Sequence, residues 1–238
     1  MNLFIVVVSF ESGEDVSRLV ESLGKEKVTG WEKEIVVVEN GTEEELRIKN
    51  YELRIKIIKD KNNLGFAKAA NIGVKYALKN GADRILLLNP DTVVEPGVIK
   101  TLVANKADII SPVIKFKRDG NWIYDFGGWV NWNIGRTRHV ESSNLTMKPR
   151  LNGIHDAVIT HSSQTASGQC NNETIDYVSG CCMLIKRQVF ETIGLFDERF
   201  FLYFEDADFC IRAKKAGFKI VVEPNAVIIH NLTEGAKK

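Results

Sequence analysis

The order of apolar runs in the first half of the chain constrains the fold more than any other feature. Leu3–Val8, Ile35–Val38, Ile55–Ile58 and Arg84–Leu88 are short and rich in β-branched or aliphatic residues. Between them Val16, Leu19, Val20 and Leu23 recur at helical spacing, and residues 66–79 form a second helical stretch stopped by Asn80-Gly81. Such alternation predicts an α/β fold with a mostly parallel central sheet flanked by helices, because parallel strands need crossovers and the helices cover the sheet faces. Each run ends in polar residues: Ser9 and Glu11, Glu39 and Asn40, Asp60 and Asn63, Asn89 and Asp91. Ligands of open α/β sheets sit beyond the carboxyl ends of the strands, so four successive strand ends converge on one crevice.

A chain of 238 residues is long enough for one well-buried domain, 1–238, and short for two. Its 44% hydrophobic and 26% charged residues match ordinary soluble proteins. Lys plus Arg (32) nearly balance Asp plus Glu (31), and a net charge of +1 gives no electrostatic case for nucleic acid as a partner. No basic residue precedes Leu3–Val8 and no small-residue cleavage site follows, so the run reads as a buried strand and not as a secretion signal. No apolar run approaches the roughly 18 residues of a membrane span. A cytoplasmic location is expected, and any attachment to the inner face of a membrane would be peripheral. Cys170, Cys181, Cys182 and Cys210 form no C-x-x-C pair or zinc spacing and read as thiols of a reducing compartment. Oligomeric state is not encoded in any feature of the sequence.

The second half is less regular. From Ser111 to about Thr174 the periodicity fades around Trp122, Trp129, Trp132 and the Gly127-Gly128 pair. Regular elements return as a strand over Ile175–Ile185, a helix from 187 to 193, a turn over Gly194–Glu198, a helix from about 206 to 215 and a strand near 219–222.

Several residues are candidates for chemistry. Asp91 follows a buried run in a Leu-Asn-Pro-Asp turn, where a carboxylate suits a hard divalent cation that takes its other ligands from phosphate oxygens; a cap on the next helix is the plainer reading. Glu205, Asp206 and Asp208 interrupt an aromatic run, and burial among rings raises a carboxyl pKa toward general-base duty. Asn63-Leu-Gly65-Phe66 opens a helix whose free amides can meet a diphosphate, with Lys68 nearby. His230 closes an apolar strand, a place where a lone histidine is usually structural.

Taken together, these segments resemble the family 2 glycosyltransferases, particularly the rhamnosyltransferase branch. The resemblance rests on Val-Val-Val-Ser9-Phe10, Val-Val-Val-Glu39-Asn40, Asn63-Leu-Gly65-Phe66-Ala67 with Asn71, and Asn89-Pro90-Asp91. It continues in Ser179–Arg187, Gly194–Glu198, Phe201–Asp208 and the ending Glu223–His230, and covers about residues 3–114 and 175–230. It implies a GT-A fold with a Rossmann-like nucleotide-binding half (1–114) and an acceptor-binding half (115–238). Ser9, Glu11, Glu39, Asn63, Gly65, Phe66, Asn71, Asn89 and Asp91 would contact the nucleotide-sugar. Asp91 and His230 would hold Mn²⁺ or Mg²⁺, Asp206 would be the catalytic base and Glu205 would orient the acceptor hydroxyl. Trp129, Trp132 and Gly180 are candidate acceptor contacts.

Two positions depart from the family pattern. Glu39 stands where an Asp usually holds the base, and Asn89 where the metal motif usually has its first Asp. The activity implied is inverting transfer of a sugar, dTDP-rhamnose or a UDP-sugar being the expected donors, to a hydroxyl of a glycan or lipid-linked acceptor in polysaccharide or cell-surface glycan synthesis. The alternatives are a sugar-nucleotide-binding subunit without turnover, and a nucleotidyltransferase. The acidic Ser9-Phe10-Glu11-Ser12-Gly13 after the first strand disfavours the triphosphate that the latter needs.

Overall fold

The computed structural model describes residues 1–41, 53–143, 145–149, 155–159 and 175–231. In chain order these form β1 (Asn2–Ser9), α1 (Gly13–Gly24), β2 (Glu32–Asn40), β3 (Arg54–Asp60), α2 (Phe66–Lys79), β4 (Arg84–Leu88), β5 (Thr92–Val94), α3 (Val98–Ala104) and β6 (Ile109–Arg118). They continue as β7 (Asn121–Asn131), β8 (Arg136–Ser142), β9 (Leu145–Pro149), β10 (His155–Ile159), β11 (Cys182–Lys186), α4 (Arg187–Ile193), α5 (Glu205–Lys215) and β12 (Ile220–His230). The predicted alternation is present: β3, β2, β1 and β4 lie side by side and parallel.

The continuous apolar runs of β1, β2 and β4 are explained by burial on both faces, while the edge strand β3 is only half-buried. Phe4 and Val6 of β1 face the core under α2, while Leu3, Ile5 and Val7 face a second core under α1 and α3. On α1 the buried residues are Val16, Leu19, Val20 and Leu23, the four whose spacing predicted it.

Beyond β4 the sheet changes character. β11 lies between β4 and β6 and is antiparallel to both, and β12 runs parallel to β6 and carries β5 on its far edge. Several expectations are corrected here. The strand expected over Ile175–Ile185 begins only at Cys182; residues 175–181 are irregular chain touching the sheet through one bridge, Gly128 to Tyr177. The strand expected near 219–222 is the first third of β12, whose register shifts between Glu223 and Val227, where Pro224 removes a ladder donor. The weakly patterned middle contains the long β6–β7–β8 antiparallel meander. Cys170 lies outside the described residues. Among the described residues no helix is long and apolar enough to cross a membrane.

Candidate active site

A cleft of about 290 Å³ opens at the carboxyl ends of β1, β2 and β4 and is lined by Phe10, Ser12, Asn40, Asn63, Phe66 and Asp91 among others. Its floor is the loop before α2. Asn63 Oδ1 accepts the Gly65 N–H at 3.0 Å, and Asn40 bridges the loop, accepting from Leu64 N at 2.8 Å and donating to Asn63 Oδ1 at 3.1 Å. Gly65 has φ +78°, and a Cβ there would collide with the Phe201 carbonyl oxygen, which accepts the Phe66 N–H at 2.7 Å. The donor-side loop is thereby pinned to the aromatic run that precedes α5.

Asn89, Pro90 and Asp91 form another wall of the cleft. Asp91 meets His230 because β5 and β12 pair antiparallel, His230 opposite Thr92, with the Asn231 N–H on the Asp91 carbonyl at 2.8 Å. His230 Nε2 lies 3.1 Å from Asp91 Oδ1, yet this buried oxygen makes no aligned hydrogen bond. Two ligating atoms side by side with no hydrogen bond joining them fit a shared cation. Among the described residues no three His, Cys, Asp or Glu side chains gather into a metal cage, so an ion here would complete its shell with phosphate oxygens and water.

The segment 179–181 connects this wall to the carboxylates of α5. The Cys181 carbonyl accepts the Asn89 N–H at 2.9 Å, and one residue earlier the Gly180 N–H donates to Asp206 Oδ2 at 2.9 Å. Asp206 Oδ1 also accepts the Ala207 N–H at 2.7 Å. Burial raises the Asp206 carboxyl, while these amides and His139 pull it back toward ionisation. Glu205 is 5% exposed with Oε2 unbonded, and burial followed by the Asp206 charge pushes it up to about 7. Tyr203 and Phe204, both at φ 70°, turn the chain sharply into α5. Phe201, Leu202, Tyr203 and Phe204 are all more than half exposed, so the aromatic run borders the site without being part of the core.

Five of the nine expected nucleotide-sugar contacts, Asn63, Gly65, Phe66, Asn89 and Asp91, line the cleft. Ser9 is buried just behind it, its Oγ 3.0 Å from that of Ser12. Glu11 is exposed at φ 49° and lies off the cleft wall. Glu39, 1% exposed, is likewise behind the wall, with Lys59 Nζ 3.2 Å from its Oε2. Asn71 faces elsewhere: its amide donates to the Phe196 carbonyl at 2.9 Å and to Glu198 Oε1 at 3.1 Å, and accepts the Phe196 N–H at 3.0 Å.

Gly180 lies against Asp206. Trp132 does not: it sits 65% exposed with Lys215 Nζ 5.7 Å over its ring, at the end of α5 remote from Asp206. Trp129 packs under Arg138, 6.0 Å away. Asn40, named as a strand-end residue though not among the expected contacts, lines the cleft; residues the sequence reading left out are Phe10, Ser12 and Asp15 there, and the Asp125–His139 pair of the β7–β8 hairpin. Position at a strand end marked Asn40; nothing local marked His139.

A parallel sheet β3–β2–β1–β4 extended by antiparallel β11 and mixed β6, β12 and β5, with a carboxylate–histidine pair beside the sheet and a buried acid pair opening α5, is the arrangement of the GT-A glycosyltransferase fold. Solved structures agree. GalNAc-T7 with UDP, GalNAc and Mn²⁺ superposes with a TM-score of 0.70 at 17% identity, over 99% of this chain and 45% of that one. A mannosyltransferase from Pyrobaculum calidifontis, in complex with GDP-Man and Mn²⁺, gives 0.62 at 12% identity, over 98% of this chain and 57% of that one.

The family described as glycosyltransferase-like family 2 matches residues 2–237, and the chain belongs to it. Among curated relatives, the low-salt glycan biosynthesis hexosyltransferase Agl10 of Haloferax volcanii is 28% identical over 97% of this chain and 67% of its own length. The dTDP-rhamnosyl transferase RfbF of Shigella flexneri is 24% identical over 100% of this chain and 71% of its own. An N-acetylglucosaminyl-diphospho-decaprenol L-rhamnosyltransferase of Mycobacterium tuberculosis is 23% identical over 95% and 75%. The chain thus spans about two thirds to three quarters of these relatives, and about half of the solved chains. It is a glycosyltransferase whose relatives are rhamnosyl- and hexosyltransferases.

Proposed function

We propose that the protein is an inverting, metal-dependent transferase that moves a sugar from a nucleoside-diphosphate sugar to a hydroxyl of a glycan or lipid-linked acceptor. The observation that carries this reading is the single segment 179–181, which ties the Asn89–Asp91 turn to Asp206 through backbone hydrogen bonds. A diphosphate leaving into the cleft would lie on the Asn89–Asp91 side of this segment, with the proton acceptor Asp206 on its other side.

Asp206 takes the proton of the acceptor hydroxyl as its oxygen attacks the anomeric carbon from the face opposite the nucleotide. The bond from that carbon to the diphosphate breaks, and its configuration inverts. Glu205, protonated over part of the neutral range, orients the hydroxyl. Amides at the start of α2 face the diphosphate, and Asn40, Asn63 and Phe66 shape the nucleotide side. Asp91 and His230 would hold a divalent ion, Mn²⁺ or Mg²⁺, which when bound neutralises charge on the departing phosphates. Relatives named for dTDP-rhamnosyl and L-rhamnosyl transfer favour dTDP-rhamnose, with a UDP-sugar next. This reading places the protein in the cytoplasm, peripheral to the inner membrane face where a lipid-linked acceptor is presented, in polysaccharide or cell-surface glycan synthesis.

Thermal denaturation against UDP-, dTDP- and GDP-sugars, each with Mn²⁺, Mg²⁺ or chelator, tests donor and metal together. A donor at about 100 times its Kd adds roughly 2.7 kcal/mol, or about 5–10 °C for a chain of this size. The expected result is a metal-dependent rise with one nucleotide class, abolished in Asp91→Ala. Donor binding without any transfer would identify a catalytically inert binding subunit instead.

A further inference from the structure

The run Phe201-Leu202-Tyr203-Phe204 breaks three local rules at once. All four side chains are more than half exposed, and Phe10, 45% exposed, lines the same cleft as Phe201 and Leu202. Together they leave apolar surface on the order of 400 Å² in water, a patch of the size that is often functional on a monomer. Tyr203 and Phe204 both have φ 70°, in the left-handed region where Gly, Asn and Asp settle and bulky side chains are strained. Phe204 is also the N-cap of α5 and makes no side-chain cap, at a position that favours Ser, Thr, Asp or Asn. Core packing, backbone preference and capping all fail to account for aromatic residues here, and conflicts of this kind concentrate at functional sites. The run is also preformed. The Phe201 carbonyl accepts the Phe66 N–H at 2.7 Å, the Phe200 N–H bonds the Asp197 carbonyl at 3.2 Å, and the Phe204 carbonyl accepts the Asp208 N–H at 2.9 Å.

We propose that this run is an acceptor subsite that holds the apolar carrier chain of a lipid-linked acceptor. The inference rests on the transferase reading above and decides between the free glycan and the lipid-linked acceptor which that reading leaves open. The occupant follows from position and chemistry. At one end Phe201 and Leu202 line the cleft beside the loop that opens α2, and at the other Phe204 is followed directly by Glu205 and Asp206. An acceptor whose hydroxyl reaches Asp206 therefore has this rim beside it. A nucleoside-diphosphate sugar carries no alkyl chain, and the polar cleft residues Asn40, Asn63, Asn89 and Asp91 suit it better. A sugar ring is recognised through its hydroxyls, which need several polar side chains, and the run offers a single one, the Tyr203 hydroxyl. An alkyl or prenyl chain needs only apolar area, which these residues hold ready at the edge of the acid pair.

Alkyl β-glucosides from methyl to decyl, each below its micelle concentration, test this by NMR titration of the protein alone. Affinity should rise by roughly two- to fourfold per added CH₂ until the run is covered, the upper figure being full burial of each CH₂. Tyr203→Asn combined with Phe204→Asn removes two rings by way of a residue that tolerates the left-handed backbone, so the fold should hold. Decyl glucoside should then bind about tenfold more weakly while methyl glucoside is unaffected. Leu202→Ser, with a severalfold loss for the decyl compound, replaces the double variant if that one fails to fold. A flat series in the wild type overturns the proposal, as does a series equally steep in the folded variant. An equal loss for methyl and decyl glucosides would mean that the rings read the sugar, and overturns it too. So does variant-sensitive binding to phosphatidylcholine vesicles beside a flat glucoside series, which would put the bilayer itself on the run. The titration uses neither donor nor metal. Absence of any donor-induced rise in melting temperature would therefore count against the transferase reading alone, leaving chain binding as a separate fact.

Discussion

Glu205 and Asp206 are neighbours with unlike surroundings, and the difference supports the separate roles proposed for them. Asp206 accepts two amide N–H bonds, while Glu205 leaves one oxygen without any donor. Asp206→Asn should keep donor binding and lose about 10²–10⁴-fold in transfer, read from nucleoside diphosphate release. Glu205 also leaves a signature in stability. Its folded value of about 7 lies above the unfolded 4.5, so its contribution is fully present below about 4.5 and is lost as pH rises through 7. Glu205→Gln should therefore melt near the wild-type temperature at pH 4.5 and about 2–6 °C above it at pH 8. Equal effects at both pH values would show that its burial carries no charge penalty. Gly65 offers a third test at this scale. Gly65→Ala forces a side chain into the left-handed region and into the Phe201 carbonyl, and should cost at least about 1–3 kcal/mol together with donor affinity, measured by melting with and without donor.

The elements differ in how far the sequence revealed them. β1 through β4 with α1 and α2 were legible because each is built from contiguous residues whose own periodicity states which face is buried. Their strand ends pointed to a crevice for the same reason, and Asn89, Asp91 and Asn63 line the cleft found there. The β6–β7–β8 meander was not legible, since its pairing joins residues far apart and its outer face is mixed polar and aromatic. The setting of His139 is invisible locally: it meets Tyr177 only because Gly128, opposite it on the hairpin, docks there. Trp132 shows the reverse error, an aromatic in a suggestive segment that ends beside Lys215. Asn71 was legible as an important residue but not as a brace, because its partners Phe196 and Glu198 lie 125 and 127 positions away. Asn71→Ala strands the Phe196 amide and carbonyl and should cost about 2–3 kcal/mol. The rise in melting temperature on donor addition should survive; its disappearance would make Asn71 a ligand contact.

At the scale of the molecule, the main path of the ten-stranded sheet runs without a break from β3 at one edge to β5 at the other. Calorimetry should accordingly show one cooperative transition, and two resolved transitions would mean that the halves are energetically independent. β11 has a consequence for how such a chain is made. The strand that joins β4 to β6 is encoded nearly a hundred residues after β4, so during synthesis the parallel strands β1 to β4 leave the ribosome with an unsatisfied edge. The nascent chain has to keep that edge from pairing with a neighbour until Cys182–Lys186 appears. A cell making this protein in quantity is thus exposed to aggregation in the interval between two strands, a hazard set by their order along the message.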